Sequence, residues 1–115
     1  PDLFLTPEYW QEGIRQMKKI NPKMRFEVHT DDLVLAEDYF SKREFDGISF
    51  KITHGIDINW RSMRCARYAI IANSSFFILP RWLRNGITIA PRYWGRRNTK
   101  VWSLPQNYYK RFLYI

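Results

Sequence analysis

Carboxylates run out halfway along this chain. All 11 acidic residues lie at or before Asp57, so residues 58–115 carry 11 basic side chains and no acid, while residues 1–57 carry 8 basic and 11 acidic ones. The acid-free half has no carboxylates of its own for a hard-cation site. Cysteine is almost as scarce: Cys65 stands alone, which excludes an internal disulfide and a Cys-rich metal site. Long apolar runs are missing too. The longest, Tyr68–Ala72 and Phe76–Pro80, are far shorter than a membrane span. The stretch Pro1–Thr6 lacks the basic start of a signal peptide, and the first residue is not Met. The expectation is a fragment, a processed product or a trimmed piece. Also absent are G-x-S-x-G, a P-loop and a full G-x-G-x-x-G.

What is present suffices for one folded domain. Hydrophobic residues make up 45% of the 115 and aromatics 17%, which a disordered segment does not have. The net charge of +8 is concentrated in the second half, whose positive field gathers anions: nucleotide phosphates, nucleic acid or an anionic membrane surface. A solvated basic face without a ligand is the plain alternative.

The chain reads as alternating helices and strands. Thr6-Pro7-Glu8 opens a helix, with Thr as N-cap and Pro at its first position. Tyr9, Ile14, Met17 and Ile20 share its apolar face, and Asn21-Pro22 ends it. Residues 24–29 alternate as a strand does, and Leu33–Phe40 follows as a helix capped by Thr30 or Asp31. Phe45-Asp46-Gly47 is a turn and Ile48–Thr53 a strand. Asp57 then caps a helix that reaches Ala66 and carries Cys65 into the core. Tyr68–Ala72 is continuously apolar, the pattern of a central parallel strand with Ile70 and Ile71 buried. Phe76–Leu83 is helical with an awkward Pro80, and Asn85-Gly86 is its C-cap. Ile87–Ala90 is a fourth strand, and Tyr108–Tyr114 suits a terminal helix. This order implies an α/β domain: a Rossmann-like parallel sheet of about four strands with helices on both faces.

Ligands of such sheets bind at the carboxyl ends of strands, which singles out two strand-to-helix loops. At Asn73-Ser74-Ser75 a buried strand meets a helix N-terminus, where free N–H groups, the helix dipole and small hydroxyls favour a phosphate. A simple helix cap by Ser74 or Ser75 is the bland reading. Asp31 and Asp32 can take a metal, a ribose or a base amino group, or can cap the next helix. With no acid after Asp57, hydrogen bonding is preferred to a metal. His29 and His54 look isolated. Arg92, Arg96, Arg97 and Lys100 interleave with Tyr93, Trp94 and Trp102, a pattern that can stack on bases and grip phosphates.

At Ala69-Ile70-Ile71-Ala72-Asn73-Ser74-Ser75-Phe76 the chain resembles glycosyltransferase family 11, the α-1,2-fucosyltransferases, which carry I-I-A-N-S-[ST]-F. The likeness extends to Met63 ahead of the strand and to Ile89-Ala90-Pro91-Arg92-Tyr93-Trp94 against I-A-P-x-x-W. It also takes in His29-Thr30-Asp31-Asp32 against F-S-D-D, and Thr6-Pro7-Glu8-Tyr9-Trp10 against T-P-x-Y-Y. Order and spacing agree over nearly the whole chain. The family's S-W-W-G-A-W-L keeps only its last two residues here, in Phe77–Leu83. Its C-K-H is Ala66-Arg67-Tyr68, and its H-x-R-x-x-D is absent.

The resemblance implies the C-terminal, donor-binding half of a two-domain GT-B fold, with residues 1–115 as one domain and the acceptor half missing. It implies GDP-fucose as donor substrate, a glycan as acceptor, inversion by direct displacement, and no metal or other cofactor. Asp31 or Asp32 would contact guanine or ribose, and Ser74 and Ser75 the diphosphate, within the loop that Asn73 and Phe76 bound. The piece alone is expected to be inactive. Contact with a membrane surface is a further expectation. The competing readings are a basic nucleic-acid-binding domain and a degenerate glycosyltransferase-like module.

Overall fold

Pro7 at the first helical position and the alternation that follows from Phe26 set the first two elements of the computed structural model. It describes residues 5–72, 74–92 and 110–115, Ser75 by its backbone alone. Helices α1 (Pro7–Ile20), α2 (Leu33–Phe40), α3 (Ile56–Cys65) and α4 (Ser75–Trp82) alternate with strands β1 (Phe26–Thr30), β2 (Phe50–His54), β3 (Tyr68–Ile70) and β4 (Ile87–Ala90). A fifth strand, β5 (Phe112–Tyr114), closes the chain where the sequence suggested a helix. Phe112 and Tyr114 lie on one face of it, so an alternating triplet wins over a short amphipathic turn. The interleaved stretch from Tyr93 to Trp102 lies outside the described residues.

Among the described residues all pairings are parallel, as expected, and the α/β class holds. The hydrogen bonds divide the strands into two groups, β1-β2 and β3-β4-β5. β3 is therefore an edge of its described sheet and not the centre that its apolar run suggested. Its residues nonetheless alternate between two covered faces. Ala69 and Ile71 pack with Ala90 and Phe112, under Met63 of α3 and Phe77 and Ile78 of α4. Ile70, only partly buried, meets Gly13 of α1 on the other side, where a Cβ would stand 2.9 Å from its methyl group. Covering by helices, not strand neighbours on both sides, explains the continuous apolar run.

Helix α1 links the two groups of strands. It buries Tyr9, Gly13, Ile14 and Met17, one stripe at helical spacing, and leaves Ile20, its last residue, exposed. The Tyr9 hydroxyl donates to the Ile71 carbonyl at 2.5 Å. Next to it, Trp10 sits edge-on to Phe40 at 6.0 Å, and Phe40 packs against Phe45 and Phe50 at 5.0 and 4.9 Å. One helix thus reaches β3 through Tyr9 and the aromatic cluster beside β2 through Trp10.

Several helix ends differ from the sequence reading. Asp32, not Thr30 or Asp31, is the N-cap of α2. Gly55, at φ 128°, precedes α3 in place of Asp57, since only glycine takes that backbone easily. Helix α4 ends at Trp82 with Leu83 as its C-cap, and Gly86 is not left-handed, so Asn85-Gly86 is no C-cap. Pro80 stays inside α4 and is buried there. Cys65 is exposed, not core.

Candidate functional site

The loop after β1 is held from three sides. The Thr30 hydroxyl accepts from the Asp32 N–H at 3.0 Å, and Asp32 Oδ1 accepts from the Leu35 N–H at 3.0 Å, closing the first turn of α2. Asn59 of α3, 4% exposed, donates through Nδ2 to the Thr30 carbonyl at 2.9 Å. Its Oδ1 therefore faces His29 Nδ1, 3.0 Å away, and that nitrogen is the donor. Thr53 Oγ1 lies 2.9 Å from the same nitrogen, and Glu27 Oε1 lies 3.3 Å from Nε2. His29 is thus not isolated. It belongs to a buried polar cluster that fixes where β1 ends and where Asp31 and Asp32 begin. Sequence reading missed it because Asn59 and Thr53 are remote in the chain and neither belongs to a motif. Asp31 and Asp32 are both exposed, and one oxygen of Asp32 is committed to the helix cap.

The loop after β3 is built differently. Ile71 donates to the Ile89 carbonyl at 2.9 Å, which extends the ladder one residue past Ile70, and Tyr9 holds the Ile71 carbonyl. Ser74 donates from its N–H to Ala72 at 2.9 Å and takes the N-cap position of α4 in extended backbone. Its side chain, partly buried, makes no capping hydrogen bond. The hydroxyl is therefore not used in the way that the bland reading requires. Phe76, 36% exposed, stands in the first turn of α4, edge-on to Phe77 at 5.2 Å. Asn73 lies outside the described residues, as does the Ser75 side chain.

Ser74 and Phe76 thus share one helix start, and Asp31 and Asp32 another. No hydrogen bond or ion pair among the described residues joins the two groups. Each follows the carboxyl end of a parallel strand, and α1 ties the two strand groups together. Among the described residues no three His, Cys, Asp or Glu side chains converge.

Among the described residues Arg81 is the one strongly perturbed group. It is 1% exposed, and its guanidinium donates to Thr88 Oγ1 at 2.8 Å and to the carbonyls of Met63 at 2.9 Å, Ala66, and Ile87 at 3.2 Å. Burial, with repulsion from Arg84, lowers it to about 10. It joins the end of α3 to β4 and is unavailable to a ligand. One of the cations of the basic half is thus structural.

The chain is 35% identical over 99 residues, 80% of its length, to an alpha-1,2-colitosyltransferase of Escherichia coli. The match covers 33% of that protein, so the chain spans about a third of the length of the curated relative it matches. No protein-family model matches the chain. No solved structure matches it significantly. The likeness supports a glycosyltransferase-type function.

Proposed function

We propose that this chain is the donor-binding part of a glycosyltransferase that uses a GDP-activated deoxysugar, fucose or its 3-deoxy counterpart colitose. The observation that carries the reading is the likeness to the colitosyltransferase over 80% of the chain. It disfavours the nucleic-acid reading. The loop geometry supports the same assignment, because Ser74 occupies the N-cap of α4 while its hydroxyl is left out of the cap. Free N–H groups and the positive end of the dipole meet there, as a diphosphate requires.

In this reading Ser74 and Ser75 hold the diphosphate, Asn73 and Phe76 flank it, and Asp31 hydrogen-bonds the ribose or base. Asp32 contributes the oxygen that the α2 cap leaves over. An acceptor hydroxyl attacks the anomeric carbon. The bond from that carbon to the diphosphate oxygen breaks, and GDP leaves with the electron pair. Backbone N–H groups of the α4 start, in a half of the chain that carries no acid, stabilise the charge that develops on it. The proton of the acceptor hydroxyl goes to a base outside residues 58–115, which hold no carboxylate. Acceptor, linkage and base belong to a further part of a longer protein, and positioning of the acceptor supplies much of the rate. Transfer by residues 1–115 alone is therefore not expected.

The test is Ser74→Ala. A lost charge-assisted hydrogen bond weakens GDP binding by about 1–3 kcal/mol, from about fivefold to somewhat over a hundredfold. The melting temperature stays within about a degree, since no cap is removed. A lowered melting temperature with unchanged GDP affinity would assign Ser74 to the helix alone.

A further inference from the structure

We propose that the amino-terminal edge of the β3-β4-β5 sheet docks on an anionic lipid surface. Because the three strands are parallel, the residues that enter them lie along one edge: Arg67 before β3, Ile87 at the start of β4, and Lys110 and Arg111 before β5. Helix α4 runs back from the far end of β3 and delivers Trp82, Leu83 and Arg84 to the same edge. Bonds confirm the meeting. Arg111 donates to Asn85 Oδ1 at 2.8 Å and to the Trp82 carbonyl at 2.5 Å, and Ile87 donates to the Arg67 carbonyl at 2.9 Å.

Two features of this edge suit an anionic lipid surface. The first is uncompensated positive charge. Arg84 stands close enough to Arg81 to repel it, no ion pair among the described residues reaches Arg67, Arg84, Lys110 or Arg111, and no acid occurs in the half that builds the edge. The second is apolar surface beside that charge: Trp82, Leu83 and Ile87 are 48%, 46% and 42% exposed. Basic heads with a Trp and aliphatic tips are what the interface of an anionic bilayer accepts, the cations at headgroup level and the apolar groups just below. A duplex backbone would satisfy the cations and leave Leu83 and Ile87 in water. Among the described residues no helix is long and apolar enough to cross a membrane, so the contact lies on the surface. It sits at the opposite end of β3 from Ser74 and Phe76, so docking leaves that loop open.

Co-sedimentation of the chain with vesicles tests this. Binding is expected to vesicles of phosphatidylcholine with roughly 30 mole per cent phosphatidylglycerol, not to phosphatidylcholine alone, and to fall with salt. Each basic residue near such a surface strengthens binding by roughly fivefold, so Arg67→Glu with Lys110→Glu lowers it by tenfold or more. Arg43→Glu with Lys51→Glu, an equal change of net charge elsewhere, leaves it within about twofold. Trp82→Ser weakens binding without changing its salt dependence. Circular dichroism monitors folding, and Lys110→Gln, an exposed single change, serves if the double reversal unfolds. Equal binding to neutral and anionic vesicles, equal losses from both charge-reversal pairs, or tighter binding to duplex DNA lost with the same edge residues would each overturn the proposal.

Discussion

Arg81 keeps its guanidinium inside the molecule without a carboxylate beside it. Its stabilisation comes from aligned carbonyls at the end of α3 and the start of β4 and from Thr88. Arg81→Met fills the space but leaves those acceptors unpaired, so denaturant unfolding is expected to show a loss of about 3 kcal/mol or more. Arg81→Lys does not restore it, because one ammonium cannot span the same fork. The folded-state value of about 10 lies well below the usual arginine range, because the charged form is desolvated. The group stays charged in both states at neutral pH, and the unfolded chain binds the extra proton only above about pH 10, where stability would rise with pH. Stability profiles of the parent and Arg81→Met should therefore run parallel between about pH 6 and pH 9. Gly86 belongs to the same cluster: a Cβ there would stand 2.5 Å from the Arg67 carbonyl oxygen and 3.0 Å from Arg81 Nη2. Gly86→Ala is expected to cost about 2 kcal/mol in the same measurement. The sequence offered Asn85-Gly86 as a helix cap, since that dipeptide usually marks a left-handed turn. The true constraint is a neighbour from another strand entry, and no local pattern carries it.

Among the elements, α3 and α1 hold the two candidate loops, each through one side chain. Asn59→Leu removes the donor to Thr30 and the partner of His29, and should lower stability by about 2 kcal/mol while raising the GDP dissociation constant. Tyr9→Phe strips the Ile71 carbonyl of its buried donor and is expected to cost about 1–2 kcal/mol. The two aspartates should separate. Asp32→Ala loses the α2 cap, about 1 kcal/mol, and Asp31→Ala leaves the melting temperature nearly unchanged while weakening nucleotide binding. The elements themselves were legible, because helical and strand periods are local: α1 matches the expected span, and β1, β2 and β4 fall within two residues of theirs. Pairing was not. Nothing in Tyr68–Ala72 distinguishes a strand flanked by strands from one covered by α1 and α4. The loops after β1 and β3 could be singled out as candidates, since each follows a strand and opens a helix, but Asn59, Thr53 and Tyr9, which fix them, could not.

Across the whole molecule, the acids are confined to the first half of the chain while bases occur in both, and the buried Arg81 shows that not all of the second half's charge serves a ligand. The central claim is that the loops after β1 and β3 form one nucleotide site selective for guanine. Isothermal titration calorimetry of the chain with GDP, ADP and UDP tests it most directly. GDP should bind with a one-to-one stoichiometry, at least about tenfold tighter than the other two, which corresponds to one well-placed contact to the base. Both Asp31→Ala and Ser74→Ala should weaken it, because each loop supplies one of its ends. Equal affinity for all three nucleotides, or GDP binding that neither substitution changes, would contradict the account.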